Sequence, residues 1–112
     1  MQPDDRVRIL HMIEMTETAL GFVTDRQRTD LDTNPMLLFA LVRAIEVIGE
    51  AAGRVSAETR ALAPSIPWSL IVAMRNRLIH AYFDVDRDIL WRTASEELPA
   101  LLPILRALVP NT

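Results

Sequence analysis

The chain has no cysteine and no lysine, and only three of its 112 residues are glycine. The absence of cysteine excludes disulfide bonds, thiol catalysis and thiolate metal sites. No run approaches the ~20 uninterrupted apolar residues that a membrane-spanning helix needs, and the first residues are acidic rather than signal-like. We therefore expect a protein of the reducing cytoplasm that does not associate with membranes.

Half of the residues are hydrophobic, which argues against disorder, and the length suits a single domain over residues 1–112. All 12 basic residues are arginine, and the formal net charge is −3 at pH 7. This charge argues against a protein that coats nucleic acid through bulk electrostatics. It does not exclude a local basic site inside a dimer cleft.

Hydrophobic residues recur at helical spacing along most of the chain, and no segment alternates like a strand. The pattern predicts an all-α protein, an up-and-down bundle of four main helices plus a short one. Residues 24–34 are polar and should form a frayed helix end and a loop. Helices are expected at about residues 4–23, 35–54, 57–63, 67–83 and 87–109.

Local capping chemistry places three of the helix starts. Asn34, Ser56 and Asp86 each precede a predicted helix and carry a side chain suited to the N-cap. Pro99 and Pro103 fall inside the last helix and should kink or break it.

The second main helix, over residues 35–54, is apolar nearly all round. A helix of this kind is buried on more than one side. One layer of a small bundle cannot cover it, so we expect a homodimer.

The segment from Arg75 to Tyr82 places charge where a core should be. On a helical wheel of about 100° per residue, apolar residues of this helix occupy an arc of roughly 120°, with Arg75 near its centre. Burying an unpaired guanidinium is costly, because the group cannot lose its charge. Asn76 and His80, one turn apart, share the adjacent flank.

These three polar residues are candidates for catalysis. A histidine can transfer a proton near neutral pH, and an arginine can hold a phosphate and stabilise its developing charge. An asparagine can orient either group. Cleavage of a phosphodiester by the adjacent 2′-hydroxyl needs this equipment and no metal. The alternative is structural: Arg75 bonded to a buried glutamate and His80 bonded to backbone carbonyls.

Arg43, Glu46 and Glu50 form one polar stripe on the second helix. For Glu46, an ion pair within the helix is the favoured interpretation. Glu50 is the better candidate to meet Arg75 across the bundle, where it would offset the cost of that buried cation.

Two further features carry little functional signal by themselves. Tyr82 falls on about the same face of the predicted helix as Arg75 and, taken alone, is typical of a core residue. Asp84, Asp86 and Asp88 lack the glycine and bidentate glutamate of a calcium loop, so capping is the favoured interpretation. We expect neither a metal nor another cofactor.

The fourth main helix resembles a known family. The segment Ile66-Pro67-Trp68, followed by Met74-Arg75-Asn76-Arg77-Leu78-Ile79-His80-Ala81-Tyr82, is similar to the signature of HepT-like toxins in the HEPN superfamily. The defining pattern is Arg, four residues, His, one residue, Tyr, and the chain fills it completely. Residues 43–52 also resemble the second helix of that family.

The resemblance implies a homodimeric, metal-independent endoribonuclease toxin of a toxin–antitoxin module. His80 would be the proton-transfer group and Arg75 the phosphate clamp, with Asn76, Glu50 and Arg43 in supporting roles. The implied partners are an RNA substrate and an MntA-like nucleotidyltransferase antitoxin, which would adenylylate Tyr82. The alternative is a non-catalytic helical dimeric adaptor, in which Arg75 and His80 only hold the dimer or the nucleotidyltransferase.

Overall fold

A computed structural model of the protein describes residues 1–80 and 85–110, with the side chains of Ile79 and His80 excepted. These residues form helices and contain no strand, which confirms the predicted all-α class. The elements are α1 (Pro3–Val23), α2 (Asp30–Thr33), α3 (Pro35–Arg54), α4 (Ala57–Arg60), α5 (Trp68–His80), α6 (Arg87–Arg92), a π-helical turn (Thr93–Glu97) and α7 (Leu98–Leu108).

The bundle is organised around α3, which packs against both α1 and α5, while α7 packs against α1. Ile9, Leu41, Ile48 and Leu105 are among the fully buried side chains of this core. Each such side chain contributes about 1.5–3 kcal/mol by leaving water. The prediction that α3 is buried on more than one side is confirmed. No helix of the described residues is long and apolar enough to cross a bilayer.

The three predicted helix caps are confirmed. The Asn34 side chain accepts a hydrogen bond from the Leu37 amide at 3.1 Å, with proline in the first turn. Ser56 Oγ accepts from the Thr59 amide at 3.3 Å. Asp86 Oδ1 accepts from the amides of Asp88 at 3.0 Å and Ile89 at 3.1 Å, and α6 begins at the residue after Asp86. These helix starts are set by local chemistry.

A buried carboxylate joins the start of α1 to the junction of α3 and α4. Asp5 is 2% exposed. Its Oδ1 accepts from the Ser56 amide at 3.0 Å, and its Oδ2 accepts from Ser56 Oγ at 2.5 Å and Thr59 Oγ1 at 2.7 Å. The hydrogen bonds from Ser56 and Thr59 hold the pKa of Asp5 below its usual value, because they favour the charged form.

The predicted loop over residues 24–34 contains a helical turn, α2, that the sequence pattern did not indicate. Leu31 anchors this turn in the core at 1% exposure. Arg28 donates to Asp88 at 2.5 Å and to Asp32 at 3.0 Å, and these carboxylates raise the pKa of its guanidinium. One leucine in a charged segment is too weak a signal for a helical period.

The last predicted helix contains a change of register rather than a break. α6 leads directly into the π-helical turn, which ends at Glu97, and Pro99 lies in the first turn of α7. Pro99 has no N–H to donate, and it lies just after the π-helical turn, where the register of the backbone hydrogen bonds already changes. Pro103 lies inside α7, which continues past it. The predicted end of α5, near residue 83, lies outside the described residues.

Candidate active site

The candidate site lies where α5 crosses α3, and a glycine sets the distance between the two helices. An ideal Cβ at Gly49 would collide with Arg75 Cβ and would lie 2.8 Å from Arg75 Cγ and 3.1 Å from the Ile71 carbonyl oxygen. The stem of Arg75 therefore lies directly on the α3 backbone. This contact confirms that the arginine faces the bundle rather than open solvent.

The guanidinium of Arg75 is only partly satisfied. Its Nη1 donates to Asn76 Oδ1 at 3.1 Å. Its Nε is buried and has no hydrogen-bond partner among the residues that the structure describes. An unsatisfied buried donor costs about 1–3 kcal/mol. Such groups in a folded protein call for an explanation, and a binding or catalytic role is one of the few available.

Arg75 lines an open pocket of about 200 Å³. Two glycines one turn apart on α3 form part of its wall, and charged side chains of both helices line it. The lining residues are Gly49, Glu50, Gly53, Arg54, Val72, Arg75 and Asn76. Three of the predicted site residues, Glu50, Arg75 and Asn76, therefore meet at one pocket.

The predicted ion pair between Glu50 and Arg75 is not formed. Within the described part of the chain, Glu50 instead accepts from Arg54 Nη2 at 3.4 Å, one turn along the same helix. The partner inside its own helix is close at hand, whereas the Arg75 stem is turned onto Gly49. Glu50 lines the pocket without neutralising the arginine.

Arg43 lies on α3 beside a second, adjacent pocket. It donates to Glu46 at 3.4 Å, the ion pair within the helix that was expected for Glu46. It lines a second pocket of about 320 Å³ between α1 and α3, together with Arg8 and His11. Glu50 and Arg54 line both pockets, so the two are adjacent.

The structure places the backbone of His80 at the last residue of α5. It follows Arg75 by five residues, which corresponds to about 7.5 Å along the helix axis. The side chain of His80 and the whole of Tyr82 lie outside the described residues. Among the residues that are described, no group of three or more histidine, aspartate or glutamate side chains could hold a metal ion.

Sequence reasoning missed Gly49, Gly53 and Arg54 as parts of the pocket. A signal existed, because two glycines in an otherwise strong helix weaken it and often indicate close packing or function. The partner of that close contact could not be read from the pattern.

The helical fold, with a polar pocket beside an arginine of the Arg–His–Tyr motif, agrees with the comparisons to known proteins. The family model described as "Ribonuclease HepT-like" matches residues 12–108. The chain belongs to this HepT-like family of the HEPN superfamily, which confirms the resemblance inferred from the motif.

Individual relatives cover most of the chain. It is 32% identical over 98 residues to "Putative RNase MJ1380" of Methanocaldococcus jannaschii, and the aligned segment covers 88% of this chain and 90% of that protein. It is 36% identical over 91 residues to "Putative RNase TTE0752" of Caldanaerobacter subterraneus subsp. tengcongensis, with 81% of each chain covered. It is 48% identical over 63 residues to "Probable ribonuclease HepT" of Thermococcus cleftensis, covering 56% of this chain and 57% of that one. No solved structure matches the chain.

Proposed function

We propose that the chain is a metal-independent endoribonuclease toxin that acts on RNA in the cytoplasm. The observation that carries this proposal is the guanidinium of Arg75, which lines an open pocket with a buried Nε that has no partner in the described residues. Membership of the HepT-like family and the names of its relatives support the same activity.

The proposed chemistry needs one proton-transfer group and one cation. His80 removes the proton from a ribose 2′-hydroxyl, and that oxygen attacks the adjacent phosphorus. The bond from phosphorus to the 5′-oxygen breaks, the 5′-oxygen takes a proton from water, and the protonated His80 returns its proton to the solvent. The products are a 2′,3′-cyclic phosphate, which water can open to a 3′-phosphate, and a 5′-hydroxyl. Arg75 binds the phosphoryl oxygens as negative charge develops on them.

The supporting residues act on the arginine and on the pocket. Asn76 accepts from Arg75 Nη1 at 3.1 Å and so limits the rotation of the guanidinium. Glu50, paired with Arg54, leaves the charge of Arg75 free for a phosphate. Arg43 lines the adjacent pocket, where a longer RNA could continue.

A nucleotidyltransferase partner is the proposed antitoxin. It would transfer AMP from ATP to the phenolic oxygen of Tyr82, forming a bond from that oxygen to the α-phosphorus and releasing pyrophosphate. Tyr82 lies outside the described residues, and it follows Arg75 by seven residues. The added nucleotide would bring a bulky anion near Arg75 and compete with RNA.

Expression of this chain alone distinguishes a toxin from the non-catalytic adaptor. We expect growth arrest in a bacterial host, and we expect His80→Ala to abolish it, because loss of general base catalysis costs about 10²–10⁴-fold in rate. Glu14→Ala, at an exposed position of α1 that lines neither pocket, should still arrest growth. The purified chain should cleave RNA in EDTA and leave cyclic or 3′-phosphate ends.

The opposite results would contradict specific parts of the proposal. Growth arrest by His80→Ala at the wild-type level of protein would overturn the assignment of the base. Cleavage that EDTA abolishes and magnesium restores would overturn the metal-independent mechanism. A chain that neither arrests growth nor cleaves RNA would favour the adaptor.

A further inference from the structure

The chain has three glycines, all within helices, and only one of them excludes a side chain. A Cβ at Gly21 would meet no atom within 4 Å. A Cβ at Gly53 would lie 3.7 Å from Val72 Cγ2, an ordinary contact. At Gly49 it would collide with the first carbon of the Arg75 side chain and come close to the Ile71 carbonyl oxygen.

The collision at Gly49 cannot be relieved cheaply. Arg75 Cβ is attached to the backbone and cannot rotate away, and the Ile71 carbonyl is itself backbone. Any side chain at position 49 must therefore push α5 away from α3 or bend one of the helices.

The same contact also determines where the guanidinium lies. With Cβ and Cγ held on the α3 backbone and Nε buried, most of the rotatable length of Arg75 lies within the helix interface. Only the end of the side chain is free, and it lies beside Asn76 Oδ1 in the pocket. A flexible side chain is thereby ordered before any ligand arrives, which reduces the entropy lost on binding.

We propose that Gly49 is a positioning residue that holds Arg75 in the orientation needed to bind an RNA phosphate. The proposal rests on the function proposed above, because it assigns the pocket to RNA. Gly49 contacts no substrate in this account. It acts through Arg75, and its effect on RNA binding must therefore disappear when the guanidinium is absent.

A double-mutant cycle between Gly49→Ala and Arg75→Gln tests this dependence. Glutamine keeps the Cβ and Cγ atoms that meet position 49, so the steric collision is the same in both backgrounds while the cation is lost. The probe is a fluorescein-labelled oligoribonucleotide of randomised sequence with every 2′-hydroxyl methylated, which cannot be cleaved by the proposed route. Its Kd is measured by fluorescence anisotropy below the melting temperature of every variant.

We expect Arg75→Gln alone to weaken binding about tenfold, the contribution of a charge-assisted hydrogen bond. Gly49→Ala alone should weaken binding to a similar extent. In the Arg75→Gln background, Gly49→Ala should change the Kd by less than about twofold, within the range of independent effects. Gly21→Ala, which removes a helix glycine far from any contact, should bind as the wild type does.

Each other outcome overturns a stated part. If Arg75→Gln binds RNA as the wild type does, the proposed function of the pocket fails, and the role of Gly49 fails with it. If Arg75→Gln weakens binding but Gly49→Ala does not, only the positioning role fails. Equal losses from Gly49→Ala in both backgrounds would show a purely structural role for the glycine.

A second substitution that separates the helices covers the case in which Gly49→Ala does not fold. Gly53→Val adds methyl groups one turn further along α3, where the nearest atom is Cγ2 of the Val72 side chain rather than backbone. It should separate the same two helices more gently. The same double-mutant cycle applies to Gly53→Val. Weaker RNA binding with Arg75 present, together with little change in the Arg75→Gln background, would support the proposal. Equal losses of RNA affinity in both backgrounds would overturn it.

Discussion

Asp5 and Arg75 are two partly or fully buried charges that the structure treats differently. The carboxylate of Asp5 accepts three hydrogen bonds from Ser56 and Thr59. The buried Nε of Arg75 has no partner in the described residues. The satisfied charge stabilises the fold, whereas the unsatisfied Nε costs stability, and only the end of the same guanidinium reaches the pocket where a ligand could bind.

The hydrogen bonds to Asp5 predict a specific sensitivity to acid. Because they lower its pKa in the folded state, their contribution is complete above the unfolded pKa of about 3.9 and is lost as the pH falls through the folded value. Asp5→Asn should lower the free energy of unfolding at neutral pH by about 1–3 kcal/mol. It should also flatten the loss of stability below about pH 4. Urea denaturation followed by circular dichroism across this pH range measures both effects.

Asp4→Asn is the matched control for that measurement, because Asp4 is the exposed neighbour in the same helical turn. It should change stability by only a few tenths of a kcal/mol through the helix dipole. Parallel acid profiles of Asp5→Asn and the wild type would contradict the account.

At the residue scale, the sequence predicted caps better than contacts. Asn34 and Ser56 could be assigned because a cap bonds to an amide three residues away. The bonds from Asp5 span more than 50 residues, and the acidic pair at positions 4 and 5 predicted only a favourable helix start. The expected partner of Arg75 was wrong for the same reason: pairing across the bundle depends on how closely two helices approach.

At the element scale, the helices themselves were largely predictable. The start of α3 was indicated by Asn34 and proline, and its predicted range of residues 35–54 agrees with the observed one. The π-helical turn before Pro99 was not predictable, because the pattern carries the helical period but not the register of its hydrogen bonds. The position of α5 on α3 depends on Gly49. This role could not be predicted from the sequence, because it depends on which helix packs against the glycine.

Pro103 offers a test of the α7 geometry. It lies inside the helix with an exposed ring and has no N–H to donate to the carbonyl four residues earlier. Pro103→Ala should restore that bond and raise the free energy of unfolding by roughly 1 kcal/mol, after allowing for the more flexible unfolded chain. Pro99→Ala, just after the π-helical turn where the register of the hydrogen bonds already changes, should change it less. Thermal denaturation measures both, and a lower melting temperature for Pro103→Ala would contradict the argument.

At the scale of the whole molecule, the surface predicts a second copy of the chain. Met36 and Phe39 lie one turn apart on the apolar helix α3 and are 83% and 61% exposed. We predict a homodimer in solution, and Phe39→Glu should weaken it by placing a charge in an apolar interface. Leu62→Glu changes an equally exposed leucine outside α3 and should leave the dimer intact. Light scattering showing a monomeric wild type at micromolar concentration would contradict this prediction.

Regulation by a partner can also be tested on the whole protein. Tyr82→Phe should retain toxicity, since a phenol with a pKa near 10 is a poor base beside a histidine. It should escape neutralisation by a cognate nucleotidyltransferase. Mass spectrometry of the co-expressed pair should find the mass of AMP on the peptide that contains Tyr82, the only tyrosine in the chain. Neutralisation of Tyr82→Phe through catalysis by the partner would contradict this assignment.

The close contact at Gly49 has a consequence for how the gene tolerates random mutation. If expression arrests growth, only plasmids with damaged copies will form colonies. Survivors should carry changes at position 49, where any side chain displaces Arg75, as well as at positions 75 and 80. Gly21→Ala should not appear among them, because a Cβ at position 21 meets no atom within 4 Å. The colonies that grow would thus map the helix contact without a purified protein.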